Sequence, residues 1–284
     1  MSVDSAVVSS TLDSQAARAY LNDSLTAPQT IAPLPRVCAQ LAELTAQEVI
    51  DAAQLARLIQ SDPVLAGEII RVANSPALRP RTAIVSLQQA ISWLGVAEVR
   101  NIAMAVMLRG EVFTAPGHEP QTEELWQEAW LAGLWAKEIA RERRKHVESA
   151  FLAALMHRTG AALALKILSR FESQGRARLD ARQFGDLMVE FEPALGRLLM
   201  SNWLLPKDVQ DAASEWRNYR ESTQSDLAGT VHAAHLLAAH TLHAELITAD
   251  MVIGNPVFEQ LGLFPDDRRN MLAKRDHVRA LAGF

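Results

Sequence analysis

Four histidines, His232, His235, His240 and His243, fall within one stretch of helical periodicity near the end of the chain. At about 100° per residue they occupy an arc of about 140° on one helix face. Imidazole binds zinc and nickel, so a metal site is one interpretation of this face. However, the pairs His232/His235 and His240/His243 are about 12 Å apart along the helix axis, so all four cannot share one ion. We favour a semi-polar face packed on neighbouring helices. A pH-sensing role is a further interpretation, which no other feature supports.

The common enzyme motifs are missing from the sequence. It contains no GxGxxG, Walker loop, GxSxG or HExxH pattern. The single cysteine, Cys38, cannot form an internal disulfide and has no CxxC partner for zinc, which indicates a reducing compartment. Residues 1–15 lack the basic start and apolar core of a signal peptide, and no apolar run approaches the ~20 residues of a membrane span. We therefore expect a cytoplasmic protein that does not enter a membrane.

Composition and charge favour a globular, helical protein. Apolar residues make up 49% of the 284 residues and charged residues 21%, which is typical of a folded domain. Ala and Leu dominate, whereas a strand-rich chain would use more β-branched and aromatic residues. The net charge of 28 − 33 = −5 disfavours nucleic acid as a partner, because phosphate contacts need clustered Lys and Arg.

Helix start and stop signals punctuate the first half of the chain. Asp62 and Pro63 predict a helix start, since Asp caps exposed amides and Pro suits the first helical position. Asn74 predicts the end of that helix, because Asn tolerates the left-handed conformation. Ser86 and Gly95 bracket a further helix. The proline-rich stretch LTAPQTIAPLP is predicted to be an extended linker.

The turn-rich segment TAPGHEPQ, residues 114–121, separates two predicted lobes. We predict an N-terminal extension and linker over residues 1–33, a first helical lobe over residues 34–115, and a second lobe with C-terminal helices over residues 122–284. The predicted helices after the break cover residues 125–144, 149–157, 161–171, 184–202, 206–219, 226–243 and 266–280. The fold class predicted from this pattern is all-α.

Several segments, in order, resemble the HDOD family, the HD-related output domains of bacterial signalling proteins. They are Leu34-Pro35 before a helix, SDPVLAGEIIRVANSP, SLQQAISWLG with the following VRNIAMAVML, Leu125-Trp126, AFLAALMHRTGAALAL, and Leu195-Gly196 leading to WLLP. The Asp-Pro…Ala-Asn-Ser helix together with the Ala-Ile…Leu-Gly helix is the most specific part. The resemblance implies an all-α architecture, with an N-terminal helical lobe packed on a lobe related to HD phosphohydrolases.

The resemblance also implies where a metal site would lie. Active HD enzymes use a His, a His-Asp pair and a distant Asp to hold divalent metal, which makes a nucleophile of bound water. In this chain the position of the first His falls at Glu128, to within one residue. His157 keeps the second His, Arg158 replaces its Asp, and His235 lies about where the last Asp would be.

Arg158 is the most damaging of these changes. A guanidinium has no lone pair to donate and cannot be deprotonated in a protein. It would place a fixed positive charge where the cation should sit. We therefore expect no metal, no other cofactor and no catalytic residue, with Glu128, His157, Arg158 and His235 as the degenerate positions of the HD site. Arg158 is expected to pair with Glu128 or another acid.

These expectations lead to a non-catalytic signal-transduction or regulatory output domain that acts through protein contacts. A receiver or other sensory domain is the expected partner, and a homodimer is also compatible with the sequence. One alternative is a metal-dependent HD-type phosphohydrolase of nucleotides or cyclic dinucleotides. The other is a ligand-sensing pseudoenzyme that keeps the cavity of the second lobe without its chemistry.

Overall fold

The computed structural model describes residues 3–27, 40, 52–75, 78, 80 and 82–283, with side chains of the first helix described from residue 13 onward. Within these residues the chain is helical and has no β-strand. The predicted all-α fold is therefore confirmed. The features predicted around Leu34, Pro35 and Cys38 lie outside the described residues.

The first part of the described chain contains five helices that precede the predicted break. They are α1 (Val3–Thr26), α2 (Ala52–Gln60), α3 (Pro63–Ala73), α4 (Leu87–Leu94) and α5 (Val96–Glu111). The last four pack together around buried apolar residues, which include Leu55, Ile59, Leu65 and Ile69. Helix α1 instead packs against helices of the second part of the chain.

The second part of the chain is built on long helices around one apolar core. They are α6 (Glu119–Glu142), α7 (Val147–Met156), α8 (Thr159–Ser173), α9 (Ala181–Asn202), α10 (Lys207–Ser214) and α11 (Ser225–Leu242), with a 3₁₀ turn at Trp216–Asn218. Four short helices follow, namely α12 (Ala249–Ile253), α13 (Pro256–Gln260), α14 (Pro265–Ala273) and α15 (Arg275–Ala282).

The predicted caps are present, and Asn74 acts differently from the prediction. The Asp62 carboxylate accepts from the Leu65 amide at 3.1 Å, and the Ser86 hydroxyl accepts from the Gln89 amide at 3.2 Å. Asn74 is not left-handed. Its side-chain amide donates to the Ile84 carbonyl at 2.7 Å, and its oxygen accepts from the Ile84 amide at 2.9 Å. Asn74 therefore holds the start of the following segment.

Several predicted helix limits differ from the structure. Residues 1–33, predicted as an extension and linker, contain the 24-residue helix α1. The stretch predicted as one helix over residues 266–280 is two helices, α14 and α15. The helix predicted over residues 206–219 ends at Ser214 and continues only as the 3₁₀ turn. Helices α12 and α13 were not predicted, because five residues are too few to show a helical repeat.

Ion pairs join the two parts of the chain along α5. The buried Lys137 of α6 pairs with Glu98, and the buried Arg100 pairs with Glu148 of α7. Arg109 lies 2.8 Å from Glu123 of α6. These contacts fix α5 against α6 and α7.

One apolar helical stretch, Val147–Ser173, meets the length and composition expected of a membrane-spanning helix. It consists of α7 and α8, and 83% of its apolar window is buried inside the protein, as in a core helix. The pair α4 and α5 would meet the same criterion only as one broken span, since the two helices differ in direction by 117°. No such stretch was expected from the apolar runs of the sequence. The finding concerns the described residues.

Candidate functional site

Four helices bring the predicted site residues together. Glu128 lies on α6 and His235 on α11, while His157 and Arg158 form the short break between α7 and α8. Arg158 donates from Nε to the Glu128 carboxylate at 2.8 Å. His157 Nε2 and His235 Nδ1 are 3.1 Å apart. The prediction that these residues share one place in the second lobe is therefore confirmed.

Two further residues, Glu192 and Arg217, complete the charged part of the site. The Arg158 guanidinium donates from Nη1 to Glu192 of α9. The second Glu192 oxygen accepts from Arg217 at 2.7 Å and 3.1 Å. Glu128, Arg158, Glu192 and Arg217 thus form a continuous chain of alternating charges with no net charge. Glu192 and Arg158 are largely buried, whereas Arg217 is partly exposed.

A glycine contact brings Glu192 to Arg158. A Cβ atom at Gly160 would lie 1.9 Å from the Glu192 carbonyl oxygen and 2.8 Å from the Gly196 amide nitrogen. Only glycine allows the α8 and α9 backbones to approach this closely. Since Gly160 lies two residues after Arg158, the same crossing places the Glu192 carboxylate beside the guanidinium.

The hydrogen bonds of His157 and His235 define their tautomers. His157 Nδ1 lies 2.5 Å from the Ala154 carbonyl oxygen, so it carries the proton and donates. In the neutral ring His157 Nε2 is then an acceptor, and the partner that donates to it is His235 Nδ1. The lone pair with which His157 could bind a metal is therefore already engaged.

The electrostatics of the cluster favour neutral imidazoles and a charged guanidinium. Burial lowers the pKa of His157 well below its usual value, and the positive charge of Arg158 lowers it further. Burial also lowers the pKa of His235 well below its usual value, with His157 and Arg158 adding to the effect. Burial opposes the charge on Arg158, but the carboxylates of Glu192 and Glu128 outweigh it and raise the pKa of Arg158.

Aromatic rings close the cluster on the side of the 3₁₀ turn. The Trp216 ring lies 4.4 Å from the His235 ring and 5.1 Å from the His157 ring, between centroids. The Arg217 guanidinium carbon stacks 4.1 Å above Trp216. His232 joins the same group, because its Nδ1 donates to the Trp216 carbonyl at 3.2 Å. The site is therefore packed with side chains around the two imidazoles.

The three histidines of α11 and His243, which follows the helix directly, do not form one site. His232 and His235 belong to the cluster with Trp216. His240 is buried and donates to the Ile247 carbonyl at 2.6 Å, while His243 lies 3.6 Å from Glu124. The expectation that the two pairs cannot share an ion agrees with this arrangement, since the pairs contact different parts of the chain.

The donor set does not fit the divalent metal of an HD site. Both Glu192 oxygens and one Glu128 oxygen accept from guanidinium groups, and the His157 lone pair accepts from His235. The described part of the chain contains no group of three or more His, Cys, Asp or Glu side chains placed to hold one ion. A second cation at this place would meet the fixed charge of Arg158.

Sequence reasoning located half of the charged chain. Glu128 and Arg158 were found through the resemblance, whereas Glu192 and Arg217 were missed. Glu192 is 34 residues from Arg158 along the chain, and no short motif connects them. The remaining signal is Gly160 with Gly196, a pair of glycines that indicates a close helix crossing once both helices are predicted.

The fold and the site together define an all-helical protein in which a buried arginine, at the break between α7 and α8, lies between two carboxylates. The sequence pattern of the HDOD domain matches residues 31–219. Because this match covers more than half of the chain, the chain belongs to the HDOD domain family. A search of curated proteins found no match.

Solved structures share this fold at low sequence identity. An HDOD domain protein with unknown function from Geobacter sulfurreducens superposes with a TM-score of 0.72 and 14% identity, covering 95% of this chain and 97% of that one. A candidate phosphohydrolase from Shewanella amazonensis SB2B superposes with a TM-score of 0.70 and 18% identity, covering 93% of this chain and 97% of that one. A candidate signal transduction protein from Marinobacter aquaeolei VT8 superposes with a TM-score of 0.68 and 20% identity, covering 95% of this chain and 66% of that one. These likenesses establish the fold.

Proposed function

We propose that this HDOD chain is a non-catalytic regulatory module that acts through protein contacts. One observation carries the proposal: the Arg158 guanidinium lies between the carboxylates of Glu128 and Glu192. A hydrolase of this class needs carboxylates and imidazoles with free lone pairs at that place. Here an internal cation satisfies the acids instead, and the imidazoles bond to each other.

The proposal extends to partners and location. The signal-transduction name of the Marinobacter neighbour supports a partner in a signalling pathway, such as a receiver or other sensory domain. A second copy of this chain is the alternative partner. We propose a cytoplasmic location, supported by the single cysteine.

A hydrolysis assay tests the catalytic part of the proposal. The full chain is incubated with a chromogenic phosphodiester, nucleotides and cyclic dinucleotides, each with Mn²⁺, Fe²⁺ or Zn²⁺. We expect no metal-stimulated hydrolysis, because the donors are committed to Arg158 and Arg217. Hydrolysis that rises with metal and disappears in both His157→Gln and Glu128→Gln would overturn the proposal. Activity that survives both substitutions would indicate a contaminant, which repeat purification removes before the result is scored.

A further inference from the structure

A cavity of about 1030 Å³ lies between the two parts of the chain, away from the HD site. Residues of α3 and α5 form one wall, and residues of α6 form the other. The end of α15 contributes Leu281, Ala282 and Gly283. A volume of this size lies at the upper end of the range for small-molecule sites.

The wall on α6 is aromatic and apolar. Trp126 and Trp130 stand parallel, with ring centroids 6.0 Å apart, and Phe113 meets Trp126 edge to face at 5.6 Å. Val106 and Ile102 line the opposite wall from α5. Such surfaces bind a flat apolar body, because stacking of aromatic rings adds a modest free energy of binding to that of burying their apolar area.

The charged residues around the cavity leave an excess of negative charge. Arg109 pairs with Glu123 at 2.8 Å, and Arg71 pairs with Glu68 at 2.8 Å. Glu119 also lines the cavity, and its carboxylate accepts from the backbone amides of Gly117 and of Glu119 itself, with no ion pair to a cation in the described part of the chain. Both arginines are thus neutralised, while one carboxylate is not.

Uncharged acceptors add to this polarity. The C-terminal end of α15 reaches the cavity at Gly283, and carbonyl groups at a helix C-terminus carry partial negative charge. The Ser75 hydroxyl, at the cavity wall, is buried and has no hydrogen-bond partner among the residues that the structure describes. A ligand here would meet acceptors rather than free cations.

We propose that this interlobe cavity binds a small amphipathic molecule with a flat aromatic body and an ammonium or similar cationic group. Nucleotides and cyclic dinucleotides are the opposite in charge, so the cavity excludes the substrates of the HD enzymes. Because the cavity walls come from both parts of the chain, a bound molecule favours the arrangement of the two parts that it contacts best. The cavity thus provides an input for the regulatory module, but the binding itself does not depend on the module being non-catalytic.

A matched set of three probes tests the charge preference: naphthylethylammonium, naphthylpropionate and ethylnaphthalene. Each is titrated into the full chain by isothermal titration calorimetry. The ammonium should bind about tenfold or more tightly than the propionate, since the aromatic body is the same and only the charge differs. Equal or tighter binding of the propionate, or no binding of the ammonium, overturns the proposal.

Variants locate the binding. Val106→Trp fills the cavity from a half-buried position and should weaken ammonium binding about tenfold or more. Met107→Trp, next to it on α5 and outside the lining, should leave ammonium binding unchanged.

Glu119→Gln should weaken ammonium binding severalfold. Glu124→Gln, which makes the same change in net charge outside the cavity, should leave ammonium binding unchanged. Equal effects in either pair would overturn the location. If Val106→Trp fails to fold, the comparison of Glu119→Gln with Glu124→Gln still tests the location of the binding site. The hydrolysis assay is independent of all these outcomes.

Discussion

The Arg158 guanidinium is the buried positive charge of this site. Its guanidinium bonds to two carboxylates from two different helices, and its pKa is raised by them. In an HD enzyme a metal joins the corresponding helices. We propose that the Arg158 side chain, which cannot dissociate, makes the same connection here and keeps the site ordered without a metal.

Arg158→Ala should lower the free energy of unfolding by about 1 to 4 kcal/mol, because Glu128 loses its partner and Glu192 keeps only Arg217. Urea unfolding followed by circular dichroism measures the change. Arg182→Ala is the control, because Arg182 is exposed and its ion pair with Asp186 is long, at 3.8 Å. This substitution should lower the free energy of unfolding by less than about 0.5 kcal/mol. Equal losses in the two variants would show that the buried ion pairs do not stabilise the fold.

The buried imidazoles predict a pH dependence of stability. The folded-state pKa values of His157 and His235 lie below the usual value of 6.5. Below about pH 6.5 the unfolded chain takes up protons that the folded chain does not. Each such histidine therefore lowers the free energy of unfolding by about 1.4 kcal/mol per pH unit, and the loss grows as the pH falls.

Urea unfolding at several pH values between about 7.5 and 5.5 tests this dependence. His235→Gln should make the slope shallower, because one buried imidazole is gone. The exposed His277→Gln should leave the slope as it is. A wild-type slope that is flat over this interval would contradict the neutral, buried assignment of the pair.

The crossing of α8 and α9 is the element-level feature on which the site depends. Gly160→Ala should destabilise the protein by about 3 kcal/mol or more, because its Cβ would overlap backbone atoms that cannot rotate away. It should also separate Arg158 from Glu192. Gly185→Ala, on α9 with no atom within 4 Å of the added Cβ, should instead stabilise by about 0.5 to 1 kcal/mol.

Thermal and urea unfolding of the two glycine variants provide the measurement. If Gly160→Ala is as stable as the wild type, the two helices can move apart without cost, and the position of Glu192 has another cause. Because both substitutions are Gly to Ala within helices, the difference between them isolates the backbone contact.

Helix positions were predictable where local signals existed. The caps at Asp62 and Ser86 fix the starts of α3 and α4 through contacts with residues three positions away, and such contacts can be read from sequence. The division between α14 and α15 carries no proline or glycine signal. Charged residues far apart in sequence meet only through tertiary packing, so Glu192 and Arg217 could not be predicted.

At the scale of the whole molecule, the first and last helices of the described chain both pack on the long helices of the second part. α1, predicted as an extension, packs on the second part of the chain, where Arg18 binds Glu190 at 2.7 Å and Tyr20 lies 5.5 Å from Phe171 between ring centroids. The terminal helix α15 packs on α6 and reaches the interlobe cavity. Helix α15 thus connects the interlobe cavity to α6, the helix that carries Glu128 of the site.

Elemental analysis of the purified full chain is the most direct test of the central claim that Arg158 has taken the place of the metal. The protein is prepared without chelators, and iron, manganese, zinc and nickel are measured per chain by plasma mass spectrometry. We expect metal far below one ion per chain, also after incubation with each ion and desalting. Near-stoichiometric metal that is lost in both His157→Gln and His235→Gln would contradict it, because it would require the imidazoles to bind a cation beside the Arg158 guanidinium.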